Sequence, residues 1–506
     1  MTQFDRNMKI FAIYPNAEGY GRVPTGLAII LTVLDKAGHI IELFDTTFLK
    51  GCNIDNDIRE KAKLVLPVDV SSLYESHTNE EISRMLESKV KDFQPDLIAV
   101  SLVEDNYRFA HLFLGIVKKM NASIPVIVGG PTPSAAPSTI IDNPNIDYLI
   151  QGDGEEALLE FCSLMERGKS VEGVRSLWYK KNGKVRNNPL CPFTDMDTIP
   201  VQNLDYWDKR HFKRPYNGKL YVTGCFEMSR GCPNDCTYCV NHAIKESLRG
   251  AGKYFRRKSP ENTIKDIKFN KEKHKLERVV FCDDNFLLMP IGRLVEFAEA
   301  WKAEINLPYW INTVVETIKH DNLALLKETG CDGIGIGVEA GSEWFRKNIL
   351  FRYVKNSRII KTFKLIQEYG IRTTANIMIG FPGESVEDIF ETIELVKRIG
   401  PDSFDISFVQ PYIGTGIHAI SKKLNYIEVS DTPGFRSMAT EISFRGHPTI
   451  KNPHISPEQM VELYYNMPDY IKGTVPIPEK YIKSASVSEA EVRTRNDISR
   501  EIAKTL

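Results

Sequence analysis

Between residues 9 and 155, five short runs are almost continuously apolar: 9–15 (KIFAIYP), 38–45 (GHIIELFD), 95–103 (PDLIAVSLV), 125–131 (PVIVGGP) and 147–155 (DYLIQGDGE). A strand with one wet face alternates apolar and polar positions, whereas a strand covered on both faces does not. These runs therefore read as buried parallel strands, with amphipathic helices such as 25–38 and 106–120 between them. The pattern predicts a doubly wound, Rossmann-like α/β domain whose ligand sits at the carboxyl ends of its strands. From residue 219 the rhythm resumes at 221–228, 278–286, 309–316, 333–341, 373–384 and 404–412, with helical stretches such as 293–304 and 386–400 between. Six strand–helix repeats fit an open (β/α)6 barrel, and barrels of this kind place their active sites at the carboxyl ends of the strands.

The expected domains are thus 8–165, a linker at 166–218, the barrel at 219–415 and a small C-terminal extension at 416–506. Within the linker, 176–189 reads as a hairpin turning at Asn182-Gly183. In the extension, 455–473 reads as helical, while 486–506 is polar enough to be read as mobile.

Composition narrows the class. The chain has 506 residues, 42% of them hydrophobic, and a net charge of -1, with no basic tract for a nucleic-acid backbone. It shows no signal-peptide pattern and no long uncharged apolar run, so the expectation is a cytoplasmic protein with no membrane or nucleic-acid partner. In that compartment most of its nine cysteines stay reduced. Six of them, Cys52, Cys162, Cys191, Cys225, Cys282 and Cys331, read mostly as small core residues.

The other three carry chemistry. Cys232, Cys236 and Cys239, in RGCPNDCTYC, supply three thiols from one loop at Cys-x3-Cys-x2-Cys spacing. A Cys-x2-Cys pair is also half a zinc site or a redox dithiol, but no second pair or His-x3-His follows to complete a tetrahedral zinc site. Three thiolates on a cubane would leave one iron open to a small molecule. Polar residues gather at the expected strand ends: Asp283, Asp284 and Asn285, then Asn312 and Glu316, then Glu339, then Gly380 and Glu384. Capping of the following helix is the simpler reading for Glu384.

The pattern, with the aromatic Tyr238 before the third cysteine, resembles the radical S-adenosylmethionine (SAM) superfamily. The resemblance implies a 4Fe-4S cluster held by Cys232, Cys236 and Cys239, whose open iron binds S-adenosyl-L-methionine and cleaves it to a 5'-deoxyadenosyl radical. It also implies that the backbone at Tyr238, together with Ile379 and Gly380, lies near adenine. Asp283 or Asp284 would contact the SAM amino group, Glu339 its ribose, and Arg352 its carboxylate. An exposed arginine on a helix face is the other reading of Arg352.

Four segments of the first domain, 24–28 (PTGLA), 37–45 (AGHIIELFD), 128–132 (VGGPT) and 151–156 (QGDGEE), look like the cobalamin-binding domain that precedes many radical SAM enzymes. No G-x-G-x-x-G follows the first strand, which argues against a dinucleotide site. The corrin's nucleotide tail would then lie near Ser101, Leu102, Gly129 and Gly130. Many such domains carry D-x-H-x-x-G after the first strand, but here 16–24 (NAEGYGRVP) holds no histidine. His39 reads as the start of the second strand and His111 as part of a helix, so cobalt is expected without a histidine ligand.

Together these features imply a cobalamin-dependent radical SAM methyltransferase acting on an unactivated carbon, or a phosphinate, of a small metabolite. Cyclisation, rearrangement or oxidation without methyl transfer is the alternative within the same domain pair. A non-catalytic corrinoid carrier leaves the thiol triad unused. The resemblance implies an external electron donor of flavodoxin or ferredoxin type.

Overall fold

The computed structural model describes residues 7–17, 21–51, 54–430, 432, 434, 445–482 and 489–505. Cys52 lies outside them. The five apolar runs form β1 (Lys9–Tyr14), β2 (Ile40–Asp45), β3 (Leu97–Ser101), β4 (Val126–Gly129) and β5 (Tyr148–Ile150), all parallel, in the order 2-1-3-4-5. Burial on both faces explains the unbroken hydrophobicity of β1, β3, β4 and β5, whereas β2, at the sheet edge, is mostly half-buried and leaves Ile40 exposed. On β1, Phe11 and Ile13 enter one apolar cluster, while Ile10 and Ala12 enter two others. The strand order reverses between β1 and β3, where a ligand crevice opens in such sheets.

The hairpin forms as expected, β6 (Leu177–Lys181) and β7 (Lys184–Asn187), with Asn182 and Gly183 both at positive φ, 52° and 72°. It also extends the sheet, because β6 pairs antiparallel with β5. β7 closes that edge with exposed residues, including Lys184 and Arg186, which discourage further pairing.

The second sheet begins with β8 (Lys213–Tyr216), antiparallel to β9 (Lys219–Phe226). A small ribbon of β10 (Ser229–Arg230) and β11 (Arg256–Arg257) follows. Then come β12 (Arg278–Phe281), β13 (Tyr309–Thr313), β14 (Cys331–Glu339), β15 (Arg372–Ile379) and β16 (Ser403–Phe408). The order is 16-15-14-13-12-9-8, with six parallel strands that do not close, so the sheet is an open half-barrel. On β14, Gly333, Gly335 and Gly337 alternate along one face, where a Cβ would stand 2.2 Å from Trp310, 2.5 Å from Asn312 and 2.2 Å from Glu339. Removing three side chains there lets Trp310, Asn312 and Glu339 lie across the strand.

The carboxyl ends of the two sheets meet. Gln151, just after β5, donates to the Ser247 hydroxyl at 2.7 Å, and Arg230 pairs with Glu155 at 2.7 Å. Arg256 is ion-paired with Asp153. Among the described residues no helix is long and apolar enough to cross a membrane.

The expectation of a mobile tail is corrected. Glu489–Thr505 is a helix whose Ile498 and Ile502 are fully buried against Phe345, Phe381, Ile417 and Ile420. Arg495 pairs with the buried Asp388 at the start of helix Val386–Ile399. Two isoleucines four residues apart make a narrow apolar stripe that average polarity conceals. Ile498→Ala should lower stability by about 2–4 kcal/mol, read as a lower thermal midpoint and earlier tryptic release of the tail. An unchanged midpoint with unchanged proteolysis would mean the helix contributes no packing.

Candidate active site

The site is built around the loop that leaves β9. Gly231 sits at φ +83°, and a Cβ there would stand 2.8 Å from the Tyr254 carbonyl, so only glycine lets the chain turn against that residue. Cys232, Cys236 and Cys239 follow, and Cys239 is the residue before helix Val240–Ser247. The loop is pinned from several sides. Thr237 donates from its hydroxyl to the Ile349 carbonyl at 2.6 Å, the Ile417 amide donates to the Thr237 carbonyl at 3.0 Å, and Lys245 donates to the Pro233 carbonyl at 3.2 Å.

Burial, with the Asp284 carboxylate beside them, pushes the Cys232 and Cys239 thiols up, Cys239 to about 12. Burial also raises the Cys236 thiol. Three such thiols hold their protons at neutral pH until a cation replaces them, which is how iron loads a thiolate site. Among the described residues no three His, Cys, Asp or Glu side chains converge as they would around a single ion. A four-iron cubane, larger than one ion, does not require that convergence.

The structure brings the other expected residues to the same strand ends but separates their surroundings. Asp283 is 2% exposed and accepts from the Met228 amide at 3.0 Å and the Ser229 hydroxyl at 2.5 Å, while burial raises it to about 7. It therefore anchors the start of the cysteine loop. Its neighbour Asp284 is exposed, and Asn241 hydrogen-bonds to it. Asn285 accepts from the Thr313 hydroxyl at 2.7 Å and ties β12 to β13.

Glu339 stands at φ +65° where the register with β15 slips, a backbone region that non-glycine residues seldom adopt and that concentrates at functional positions. Burial raises its carboxyl, and the Tyr238 hydroxyl hydrogen-bonds to it. Arg352 lies 3.6 Å from Glu339 and 3.9 Å from Glu316. The exposed-helix reading of Arg352 is corrected: it is 6% exposed, in a non-helical segment, and its Nε–H is buried with no partner. A buried guanidinium with a spare donor at the barrel mouth suits a carboxylate ligand. Tyr238 packs edge-on against Phe381 at 6.0 Å, beside buried Ile379 and Gly380.

Glu384 is not the helix cap that its position indicated. Ser385 caps that helix, in a capping box with Asp388. Glu384 turns back instead and accepts from the amides of Gly380 at 2.6 Å and Phe381 at 3.2 Å, fully buried. Asn312, on β13, accepts weakly from Trp310 at 3.4 Å.

Across the mouth, Ser101 and Gly129 are register partners at the ends of β3 and β4. Gly130 is at φ +113°, with no room for a Cβ beside the Leu102 carbonyl. Leu102 is 0% exposed, so its contribution to this crevice is backbone only. His39 pairs with Glu166 at 3.2 Å near the opposite strand end, and His111 lies 3.0 Å from Asn143 in helix Tyr107–Met120.

Several residues escaped sequence reading. His211 is buried against Asp45 at the end of β2, at 2.5 Å. Glu104 accepts from the Ile413 amide at 2.8 Å and Asp105 from the Tyr412 hydroxyl at 3.1 Å, joining the end of β3 to the loop after β16. Cys162 and Cys331 are core residues as expected. Cys225 and Cys282, on neighbouring β9 and the end of β12, hydrogen-bond each other, which pulls Cys225 down.

An open half-barrel with a three-thiol loop at its mouth, facing the carboxyl ends of a 2-1-3-4-5 sheet, defines the two-cofactor class of radical SAM proteins. The Radical SAM superfamily model matches residues 226–396, and the B12 binding domain model matches residues 19–161. The chain belongs to the B12-binding radical SAM enzymes, and its cofactors are a 4Fe-4S cluster, S-adenosyl-L-methionine and cobalamin. It is 27% identical to the uncharacterized methyltransferase PH0819 of Pyrococcus horikoshii, over 78% of this chain and 81% of that one. It is 22% identical to the anaerobic magnesium-protoporphyrin IX monomethyl ester cyclase of Rubrivivax gelatinosus, over 66% of this chain and 60% of that one. The structure of the radical SAM methyltransferase TsrM from Kitasatospora setae, with cobalamin and a 4Fe-4S cluster bound, superposes with a TM-score of 0.67 at 15% identity, covering 99% of both chains.

Glu384 provides a pH test of this geometry. Burial raises its carboxyl to about 8, with Asp388 adding to the rise and Arg495 opposing it. A carboxyl raised in the fold binds more protons folded than unfolded, so stability falls from the ordinary carboxylate range up to about pH 8 and then levels. Glu384→Gln keeps an acceptor for both amides and removes the titration. Its thermal midpoint relative to the parent protein should rise as pH goes from 5 to 8, by an amount worth at most a few kcal/mol. A pH-independent difference would show that Glu384 is ionised throughout.

Proposed function

We propose that this chain is a methyltransferase that adds a methyl group to an unactivated carbon, or a phosphinate, of a small metabolite. The observation that carries the reading is the facing of the two sheets' carboxyl ends, joined by Arg230 to Glu155 at 2.7 Å, two residues before the first thiol. That arrangement gives the two half-sites a common mouth. When bound, the cluster supplies the electron that cleaves SAM, and the corrin supplies a cobalt centre able to carry a methyl group.

Cys232, Cys236 and Cys239 would hold the cluster. Asp284, which is exposed, is the better placed of the two aspartates for the SAM amino group, since Asp283 is spent on Met228 and Ser229. Glu339, held by its strained backbone, would accept from the ribose hydroxyls. Arg352 would turn its unpartnered Nε–H to the SAM carboxylate. Tyr238, Ile379 and Gly380 would line the adenine, with Gly380 set by the Glu384 clamp on its amide. Ser101, the Leu102 backbone, Gly129 and Gly130 would line the corrin tail, where small residues leave the backbone approachable. His39 and His111 are engaged away from that crevice, which supports cobalt without a histidine ligand. The reductant would be an external flavodoxin- or ferredoxin-type donor. A cytoplasmic location fits cysteines kept reduced.

Relatives named as methyltransferases, PH0819 among them, support methyl transfer. The cyclase relative keeps reaction without methyl transfer as the second reading.

Replacing Cys232, Cys236 and Cys239 together with Ala should abolish iron binding and 5'-deoxyadenosine formation in anaerobically reconstituted protein. Replacing Cys162 and Cys191 should leave both intact; the opposite pattern would move the cluster elsewhere. With the substrate in hand, SAM labelled in its methyl group should pass the label to product. S-Adenosylhomocysteine and 5'-deoxyadenosine should then form in equal amounts. 5'-Deoxyadenosine without labelled product would establish cyclisation or rearrangement instead.

A further inference from the structure

A cleft of about 470 Å³ opens beside the cysteine loop, between the linker, the β10–β11 ribbon and the start of helix Ile291–Ala300. Its size is that of a small-molecule site. Its apolar wall is Phe193, Phe255, Met228 and Met289, and its polar wall is basic. In the run Arg256-Arg257-Lys258 the outer two cations are already answered. Arg256 pairs with Asp153, and Lys258 lies 3.2 Å from Asp266 and is buried. Arg257 has no carboxylate within ion-pair distance among the described residues, and neither has Arg293 across the cleft.

Both arginines line the cleft, Arg257 half-buried and Arg293 exposed at its rim. Burial, and then the Arg293 charge, lower the Arg257 guanidinium. Of the nearby acids, Asp197 feels the Arg293 charge, which helps to lower its carboxyl, but it forms no ion pair with Arg293. Asp195, in the cleft wall, accepts from the Asp197 amide at 3.0 Å, and Asp197 accepts from the Ser259 amide at 2.7 Å and Asn262 at 2.9 Å. Arg257 lies over the Phe255 ring at 5.0 Å, and an anion in the cleft would be drawn by both positive charges.

We propose that this cleft binds a small organic oxyanion, a carboxylate or phosphate carrying an apolar or aromatic body, bridged by Arg257 and Arg293. Two planar donor forks match the paired oxygens of such a group, and Met228 and Met289 offer apolar surface to its body, while the Phe193 and Phe255 rings carry the Arg256 and Arg257 guanidinium groups at 4.1 and 5.0 Å. The ligand would sit one residue from the thiol loop. Tyr254, between Lys253 and Phe255, packs on Gly231 and donates to Asn241 at 2.8 Å. The site lies apart from the residues proposed for SAM and for the corrin tail, so it stands whether the reaction is methylation or cyclisation.

The test is calorimetric titration of anaerobic protein loaded with cluster and cobalamin, using benzoate and inorganic phosphate as probes. Both should bind, with benzoate favoured over benzamide, and raising the salt concentration should weaken both. Arg257→Gln with Arg293→Gln should weaken benzoate at least tenfold, whereas Lys268→Gln, an exposed lysine paired with Glu304, should change nothing. If the double variant is unstable, Arg257→Lys with Arg293→Lys keeps the charge, removes the fork and should still weaken benzoate severalfold. Equal affinity for benzoate and benzamide, equal affinity in parent and variants, or no binding of either probe would each overturn the proposal. Slower cluster reduction by flavodoxin in the double variant, with no probe binding to the parent, would make the cleft a docking face for an acidic protein and sink the small-ligand assignment.

Discussion

The rest of the molecule depends on one buried ionic network at the seam between its two sheets. Arg230 is hemmed by Glu227 at 2.7 Å, Glu155 at 2.7 Å and Asp153 at 3.6 Å, while Arg256 shares Asp153 from the paired strand. Arg230 and Arg256 are direct partners across β10–β11. Burying that many charges is costly, and the network persists because the partners are mutually satisfied; removing one partner would strand the others at about 3–5 kcal/mol. Because Arg230 stands two residues before Cys232, the same contacts that hold the first domain also set where the thiol loop begins. Docking of the domains and placement of the thiols are one structural fact.

At the barrel mouth, space and strain do complementary work. The alternating glycines of β14 clear one face so that Trp310, Asn312 and Glu339 can lie over it. Glu339 then ends the strand in the left-handed region, at φ +65°, held by Tyr238 and Arg352. Such a conformation costs of order 1–3 kcal/mol and survives only where packing over-determines it. Arg346, fully buried and bonded to the Ala340 and Val354 carbonyls and to Asn356, supplies that packing from below. The carboxylate is thereby presented in one orientation before any ligand arrives, which spares the entropy of ordering it on binding.

The first domain and the C-terminal segment both pack against the loops beside this mouth. Glu104 and Asp105 reach the loop after β16, while helix Glu489–Thr505 braces Phe381 and the turn that follows β15. The helix contact acts on the turn beside the proposed adenine pocket, so the extension contributes to the site through support.

What the sequence by itself determined is what local order can encode. Unbroken apolar runs announced the five parallel strands of the first sheet, the strand–helix rhythm announced the six of the second, and Asn182-Gly183 announced its turn through the positive φ both residues accept. The thiol triad was legible because its three members are close in the chain, and Glu339 because strand ends are. Tertiary structure decided the rest. Whether Arg352 is exposed or buried, whether Glu384 caps forward or clamps backward, and which of Asp283 and Asp284 remains free depend on neighbours brought in by folding. The motif 151–156 betrayed nothing of its ion pairs with Arg230 and Arg256, and the polar tail nothing of its docking. In each case the deciding quantity is burial, a property of what packs from distant parts of the chain, and burial sets both the protonation of a side chain and the partners left to it.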